Sequence, residues 1–237
     1  MTPQLQPLPP VCVLAGGLGT RLSARARETP KPLLPVAGRP FLFWVLDLLA
    51  HHRAHEVVLC VAHKGEQIES AVGDGAAFGL RVRTVHDGPQ LAGTAGAIRG
   101  AIDLLGERFL VIYGDTYLRI DYRAVARAHA DSGLPALMTV LHNEDAWDTS
   151  NARFADGLVL EYDKRAPTAA MQWIDYGLGA LTPAALDAEP AASDLADVYH
   201  TLAAQRQLAG YEAGERFFEI GTPFGFEETE EFLRSQG

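Results

Sequence analysis

Residues 11–22 read VCVLAGGLGTRL, and the fold class turns on how this stretch behaves. Four apolar residues, Val11 to Leu14, lead through Ala15 into Gly16, Gly17 and Gly19, followed by Thr20 and Arg21. A buried strand that empties into a glycine-rich loop suits an open α/β sheet, where ligands bind beyond the carboxyl ends of the strands. Successive backbone N–H groups in such a loop form an anion nest, and an arginine at its edge adds bidentate phosphate contacts. A flexible glycine turn beside a surface arginine fits the same residues, so the loop alone leaves both readings open.

Two familiar glycine loops do not match. The dinucleotide fingerprint requires a third glycine where Leu22 stands, and an acidic residue about 20 positions on that the stretch PVAGRPFL lacks. The Gly-Lys-Ser/Thr ending of a Walker loop is found nowhere in the chain. The following segment, TPKPLLPVAGRP at residues 29–40, sets Lys31 between two prolines. Proline fixes its own φ and restricts the residue before it, so this lysine is displayed from a stiff support close to the loop.

Outward from this point, apolar runs alternate with longer amphipathic stretches. Strands are expected near 11–15, 56–61, 81–86, 108–113 and 136–141, and helices near 40–53, 65–72, 94–104 and 121–131. Strand–helix alternation predicts βαβ units and a Rossmann-like, doubly wound, mostly parallel sheet. Beyond 141 the rhythm changes to a hairpin turning at Asp156-Gly157 and an extended run at 171–181. Helices at 183–188 and 194–208, the extended RFFEI and a C-terminal helix near 223–235 complete the expectation. The chain thus reads as a single domain over 1–237, with a loose tail at 1–10, a doubly wound core over 11–141, and an appended β/α half with the last helix over 142–237.

The 237 residues carry 48% apolar and 21% charged side chains and a formal net charge of −10. That charge opposes non-specific binding to a nucleic-acid backbone. Cys12 and Cys60 fall within apolar runs and read as buried free thiols. The first ten residues lack the charged and apolar regions of a signal peptide, and FLFWVLDLLA is too short to span a bilayer. A cytoplasmic protein with neither nucleic-acid nor membrane partners is expected. His51, His52 and His55 read as a solvated helix end, since a metal site would need a third ligand and burial.

LAGGLGTRL followed by PKPLLPV closely resembles the paired motif of the sugar-1-phosphate nucleotidyltransferases, the nucleoside-diphosphate-sugar pyrophosphorylases. The resemblance continues through GDGAAFGL (73–80), AGTAGAI (92–98), VIYGDTYL (111–118), YDK (162–164) and FFEIGTP (217–223). It implies the family's nucleotide-diphospho-sugar transferase fold, one catalytic domain with 11–141 as the nucleotide-binding core and 142–237 as the sugar-binding half, and transfer of a nucleoside monophosphate from an NTP to a sugar 1-phosphate with Mg²⁺. The implied partners are those two substrates, and a homo-oligomer is compatible. In form the chain is most similar to the short single-domain guanylyltransferases acting on heptose or mannose 1-phosphate.

The resemblance also implies roles for individual residues. Arg21 would face the leaving pyrophosphate and Lys31 the α-phosphate. Leu14, Ala15, Gly16, Gly17, Gly19 and Thr20, with Gly93 and Thr94, would hold the nucleotide. PQLAGT carries one residue more before Gly-Thr than the usual pattern, and Gln90 is a candidate for reading the base. Asp115 and Glu219 would hold the metal. Glu219 departs from the usual Asp or Asn, and Asp115 taken alone also fits a turn aspartate or helix cap. Gly114, Asp163, Lys164, Asp175 and Gly177 would bind the sugar, although YDKR taken alone also fits a solvated mixed-charge strand. Trp147 either walls the sugar site or simply packs. A non-catalytic nucleotide-sugar-binding regulatory protein on the same fold is the rival, and the presence of Arg21, Lys31 and Asp115 weighs against it.

Overall fold

The computed structural model describes residues 7–17, 28–88 and 92–236. In chain order, β1 (Val11–Leu14) precedes a short hairpin of β2 (Pro35–Val36) and β3 (Arg39–Pro40), which leads into α1 (Phe41–His51). Next come β4 (Glu56–Val61), α2 (Gly65–Val72), β5 (Arg81–His86), α3 (Gly93–Gly100) and α4 (Ile102–Leu105). The middle of the chain holds β6 (Phe109–Tyr113), β7 (Thr116–Tyr117), α5 (Tyr122–Ser132), β8 (Ala136–His142), β9 (Ala152–Ala155) and β10 (Leu158–Tyr162). The last elements are β11 (Trp173–Leu181), α6 (Leu195–Ala204), β12 (Leu208–Ala213), β13 (Phe218–Glu219) and α7 (Pro223–Ser235).

Among the described residues nine strands form one sheet, ordered β5-β4-β1-β6-β11-β8-β12-β10-β9. The run β5-β4-β1-β6 is parallel throughout, as expected. Beyond β6 the sheet is mixed: β11 runs antiparallel to both β6 and β8, and β8 pairs in parallel with β12. The central strands β1 (VCVL) and β6 (FLVIY) are apolar along their length because both faces are covered, whereas the edge strand β5 (RVRTVH) carries polar residues. Successive side chains alternate between faces, so Val11 and Val13 pack toward α1, α2, α5 and α7 while Cys12 and Leu14 pack toward α3 and α6.

Three local outcomes depart from the expectations. The helix expected to run to 208 stops at Ala204, where Gln205 caps it and Arg206 takes a left-handed φ of 59°. The chain then reverses into β12, a strand the sequence reading did not anticipate. Its Gly210 is required by packing, since a Cβ there would meet the ring of Phe154. The helix expected at 94–104 divides at Ala101 into α3 and α4. Within the expected loose tail, residues 7–10 are anchored: Leu8 is buried, and the Pro10 carbonyl accepts a 2.9 Å hydrogen bond from Leu110 N–H.

Candidate active site

The carboxyl ends of β1, β4 and β6 open into a cavity of about 270 Å³, lined by Leu14 to Gly17, Lys31, Cys60, Asp87, Gly93, Thr94, Tyr113, Gly114, Asp115 and Asp194. The loop after β1 is drawn tight against its neighbours. Ala15 N–H donates to the Cys60 carbonyl at 2.8 Å and Gly114 N–H to the Leu14 carbonyl at 2.9 Å. Gly16 approaches Ala62 so closely that a Cβ would lie 3.0 Å from the alanine methyl. Leu14, Ala15, Gly16 and Gly17 therefore present main chain to the cavity. Gly19, Thr20, Arg21 and Gln90 lie outside the described residues.

Lys31 opens a single 3-10 turn between Pro30 and Pro32, the stiff display expected from the prolines. Its Nζ stands 2.5 Å from Oδ2 of Asp115. Asp115 follows β6, and its neighbour strand β7 pairs with β13, bringing Glu219 opposite Thr116. Ile220 N–H donates to the Asp115 carbonyl at 3.0 Å, which locks the two segments together. Glu219 folds back over the start of α7, accepting from Thr222 Oγ1 at 3.0 Å and from Gly221 N–H. The extra methylene of this glutamate has room because Gly221 and Gly225 flank it; a Cβ at either would collide with its carboxylate. Lys31 Nζ lies 3.2 Å from where a Gly221 Cβ would stand, so Lys31, Asp115 and Glu219 share one locality.

Two carboxylates of hard oxygen donors next to a positioned ammonium group fit a Mg²⁺ ion that keeps waters and phosphate oxygens as its other ligands. Among the described residues no cluster of three or more potential ligands exists.

Gly93 and Thr94 reach the cavity, but each is also committed to the fold. Gly93 has φ 75° and a Cβ there would strike the Ser193 carbonyl. Thr94 N–H and Oγ1 both donate to Asp194 Oδ1, at 3.1 and 3.3 Å, and Oγ1 accepts from Leu195 N–H at 2.7 Å. Asp194 is also the N-cap of α6, in a capping box with Asp197. Thr94 thus ties the first turn of α3 to the first turn of α6. Asp87, at the end of β5, was not singled out by sequence; burial raises its carboxyl above the usual range.

A second cavity, about 690 Å³, lies on the other side of Asp115 and shares Tyr113 and Asp115 with the first. Lys164, Asp175, Gly177 and Glu219 line it. Asp175, with a side chain 5% exposed, accepts from Lys164 Nζ at 3.0 Å, Tyr162 OH at 3.1 Å and Gly177 N–H at 3.0 Å. Asp175 in turn raises the Lys164 ammonium above its ordinary value, against desolvation. Tyr113 is pushed up to about 12 by burial, so its phenol stays protonated at neutral pH.

Two residues expected in the sugar pocket stand elsewhere. Asp163 does not line the cavity; its Oδ1 accepts from Arg165 and Ala166 N–H at 2.7 and 2.9 Å, closing a turn. Those bonds hold its carboxyl below the usual range. Gly114 lines the smaller cavity, against Ala15. Trp147 does wall the larger one, with Asn151 of the same WDTSN stretch (147–151), and so do Arg216, Phe224 and Glu228, which sequence reading did not identify. Only topology gathers those residues, and no motif surrounds them. The two thiols are buried and free as expected, with Sγ atoms 3.5 Å apart.

No helix among the described residues is long and apolar enough to cross a membrane. The chain is 43% identical over 116 residues to an N-acetylmuramate alpha-1-phosphate uridylyltransferase of Neisseria meningitidis, covering 47% of this chain and 49% of that protein. It therefore spans about half the length of that relative. It is 29% identical over 153 residues to a D-glycero-alpha-D-manno-heptose 1-phosphate guanylyltransferase of Campylobacter jejuni, covering 65% and 67% of the two chains. The fold matches the crystal structure of HddC from Yersinia pseudotuberculosis in complex with GMP-PN, with a TM-score of 0.78 at 22% identity over 95% of this chain and all of that one. A family model for nucleotidyl transferases matches residues 11–151, more than half of the chain, and the chain belongs to that family.

Proposed function

We propose that the protein transfers a nucleoside monophosphate from an NTP to a sugar 1-phosphate, releasing pyrophosphate, with both halves of the chain acting as one catalytic unit. The observation that carries this reading is the meeting of two cavities at Asp115, with Lys31 and Glu219 at the junction. An in-line displacement needs its nucleophile and leaving group on opposite sides of the reacting phosphorus. Two chambers joined at a charged seam suit that requirement.

A sugar-phosphate oxygen attacks the α-phosphorus; that O–P bond forms as the bond to the bridging α–β oxygen breaks, and the electron pair leaves with pyrophosphate. A phosphate monoester has its second pKa near about 6 and is already an anion at neutral pH, so no general base is required. The demand is instead alignment and charge neutralisation. Main-chain groups of Leu14 to Gly17 line the nucleotide side, with Arg21 assigned to the pyrophosphate. Lys31 Nζ exchanges Asp115 for the α-phosphate as substrate arrives. Asp115 and Glu219 would hold Mg²⁺, which when bound lowers the repulsion between the two anions. Lys164, Asp175 and Gly177 form the floor beneath the sugar.

Within this class the reading leans to guanylyl transfer onto a heptose or hexose 1-phosphate, in the cytoplasm. Asp87 supports the base, because a carboxylate only accepts hydrogen bonds when ionised and guanine offers amino donors. The heptose guanylyltransferase of Campylobacter supports the sugar, and the free thiols suit a reducing compartment. The test is a panel of four NTPs against hexose and heptose 1-phosphates with Mg²⁺, following pyrophosphate release and nucleotide-sugar mass, with Asp115→Ala alongside. Release by the wild type, strongest with GTP, is the expected result. Nucleotide binding without release from any pair would replace this reading with the regulatory one.

A further inference from the structure

Trp147 stands out on the wall of the larger cavity, since its side chain is 52% exposed while the loop that carries it is tightly cross-linked. Asn143, 3% exposed, accepts from Trp147 N–H at 3.2 Å and donates to the Asp148 carbonyl at 2.7 Å and to Ser150 Oγ at 3.0 Å. Asp145 and Ser150 exchange two further bonds across the loop, at 3.0 and 2.7 Å. The rigid loop thus holds a large apolar ring half in solvent at the cavity wall.

One face of that ring is backed. The Arg216 guanidinium lies 3.9 Å over the indole and 5.0 Å from the Phe218 ring. Arg216 is itself fixed by Glu228, Nη1 to Oε1 at 3.1 Å and Nη2 to Oε2 at 2.9 Å. Half the indole surface stays uncovered beside the cavity. The charges around it are also committed: Arg216 is held by Glu228, and Lys164 by Asp175. Among the described residues these are the two cations lining this cavity, against five carboxylates, of which Glu228 and Asp175 pair with those cations, Asp115 pairs with Lys31, and Asp148 and Glu219 add to the negative excess.

We propose that Trp147 is the stacking platform for the acceptor sugar, and that this cavity selects a neutral, hydroxyl-rich sugar 1-phosphate over one bearing a carboxylate. The inference rests on the transferase reading given above. A sugar places its weakly positive C–H groups on the electron-rich ring face, and its hydroxyls donate to the carboxylates around it. A carboxylate on the sugar finds no uncommitted cation among the described lining residues and is repelled by the excess of negative charge.

Steady-state kinetics test this on wild type, Trp147→Ala and Trp147→Phe, using the preferred hexose 1-phosphate and its uronic acid counterpart. Trp147→Ala is expected to raise the sugar KM about tenfold while leaving the NTP KM within about twofold, with Trp147→Phe recovering most of the loss. The uronic acid 1-phosphate is expected to show at least about tenfold lower kcat/KM than the neutral sugar. An unchanged sugar KM in folded Trp147→Ala, or equal use of the uronic acid, overturns the proposal. If Trp147→Ala does not fold, fluorescence titration decides: the neutral sugar 1-phosphate should quench wild-type tryptophan emission and leave Trp147→Phe unaffected. Wild type that turns over no pair overturns the transferase reading itself. Quenching requires binding and not turnover, so the titration still judges the platform in that case.

Discussion

Each cavity contains one lysine–aspartate pair, and the two pairs are built for different ends. Asp175 is 5% exposed and receives a lysine, a phenol and a backbone N–H, so most of its lone-pair capacity is engaged. Asp115 is 32% exposed and receives Lys31 and, at 3.2 Å, the hydroxyl of its neighbour Thr116. The lysines run the other way, Lys31 being 12% and Lys164 42% exposed, so the contrast lies in the carboxylates: a buried carboxylate stripped of its partners is left uncompensated, whereas a half-open one can exchange partners with water or an incoming ion. The sugar-side pair is therefore part of the frame. In the proposed transferase reading the pair at the junction is the working contact, separating when phosphate and cation arrive.

That contrast can be broken most easily at Asp115. Asp115→Ala should lower kcat by about 10³-fold or more while leaving the thermal midpoint within a few degrees. A large loss of stability with preserved turnover would reverse the assignment. Lys164→Met should do the opposite in kind. Denaturant unfolding is expected to show a loss of about 1–3 kcal/mol, moderated because Tyr162 and Gly177 still serve Asp175 and the lysine is 42% exposed.

The same pair predicts an alkaline signature. Asp175 raises Lys164 above its unfolded value, so its contribution to stability is complete below about pH 10.4 and fades as pH rises through the folded value. Stability-versus-pH curves of wild type should therefore fall more steeply than those of Lys164→Met in that range. The smallest effect is expected at Asp163, whose carboxylate caps an exposed turn outside the cavity. Asp163→Ala should change stability by about 0.5 kcal/mol or less. Any difference from wild type should vanish as pH falls below the depressed value of that carboxyl. Sugar KM should not move, and a tenfold rise would return Asp163 to the sugar pocket.

The legible parts of this molecule were those decided by local chemistry. The parallel strands showed in the sequence because burial on both faces demands unbroken apolar runs, and Gly114-Asp115 after such a run placed a carboxylate at the cavity mouth. Prolines around Lys31 foretold its stiff display. Partners were not legible, because Lys31 and Asp115 lie 84 positions apart and meet only through sheet order. Thr94 likewise finds Asp194 100 positions on, and Arg216 finds Trp147 across the β12–β13 connection. Strand β12 was hidden because AAQRQLAG continues a helix-forming composition, and only the left-handed Arg206 stops it. The turn at Asp163 was hidden for a similar reason: it is closed by backbone donors that side-chain pattern does not encode.

The most direct test of the central claim follows the phosphorus atoms. Wild-type protein is incubated with Mg²⁺, a sugar 1-phosphate and an NTP labelled at the α-phosphate. Label should appear in the nucleotide-sugar, with one unlabelled pyrophosphate released for each, and both should vanish in Asp115→Ala. Label recovered in free nucleoside mono- or diphosphate, independent of the sugar, would contradict the account.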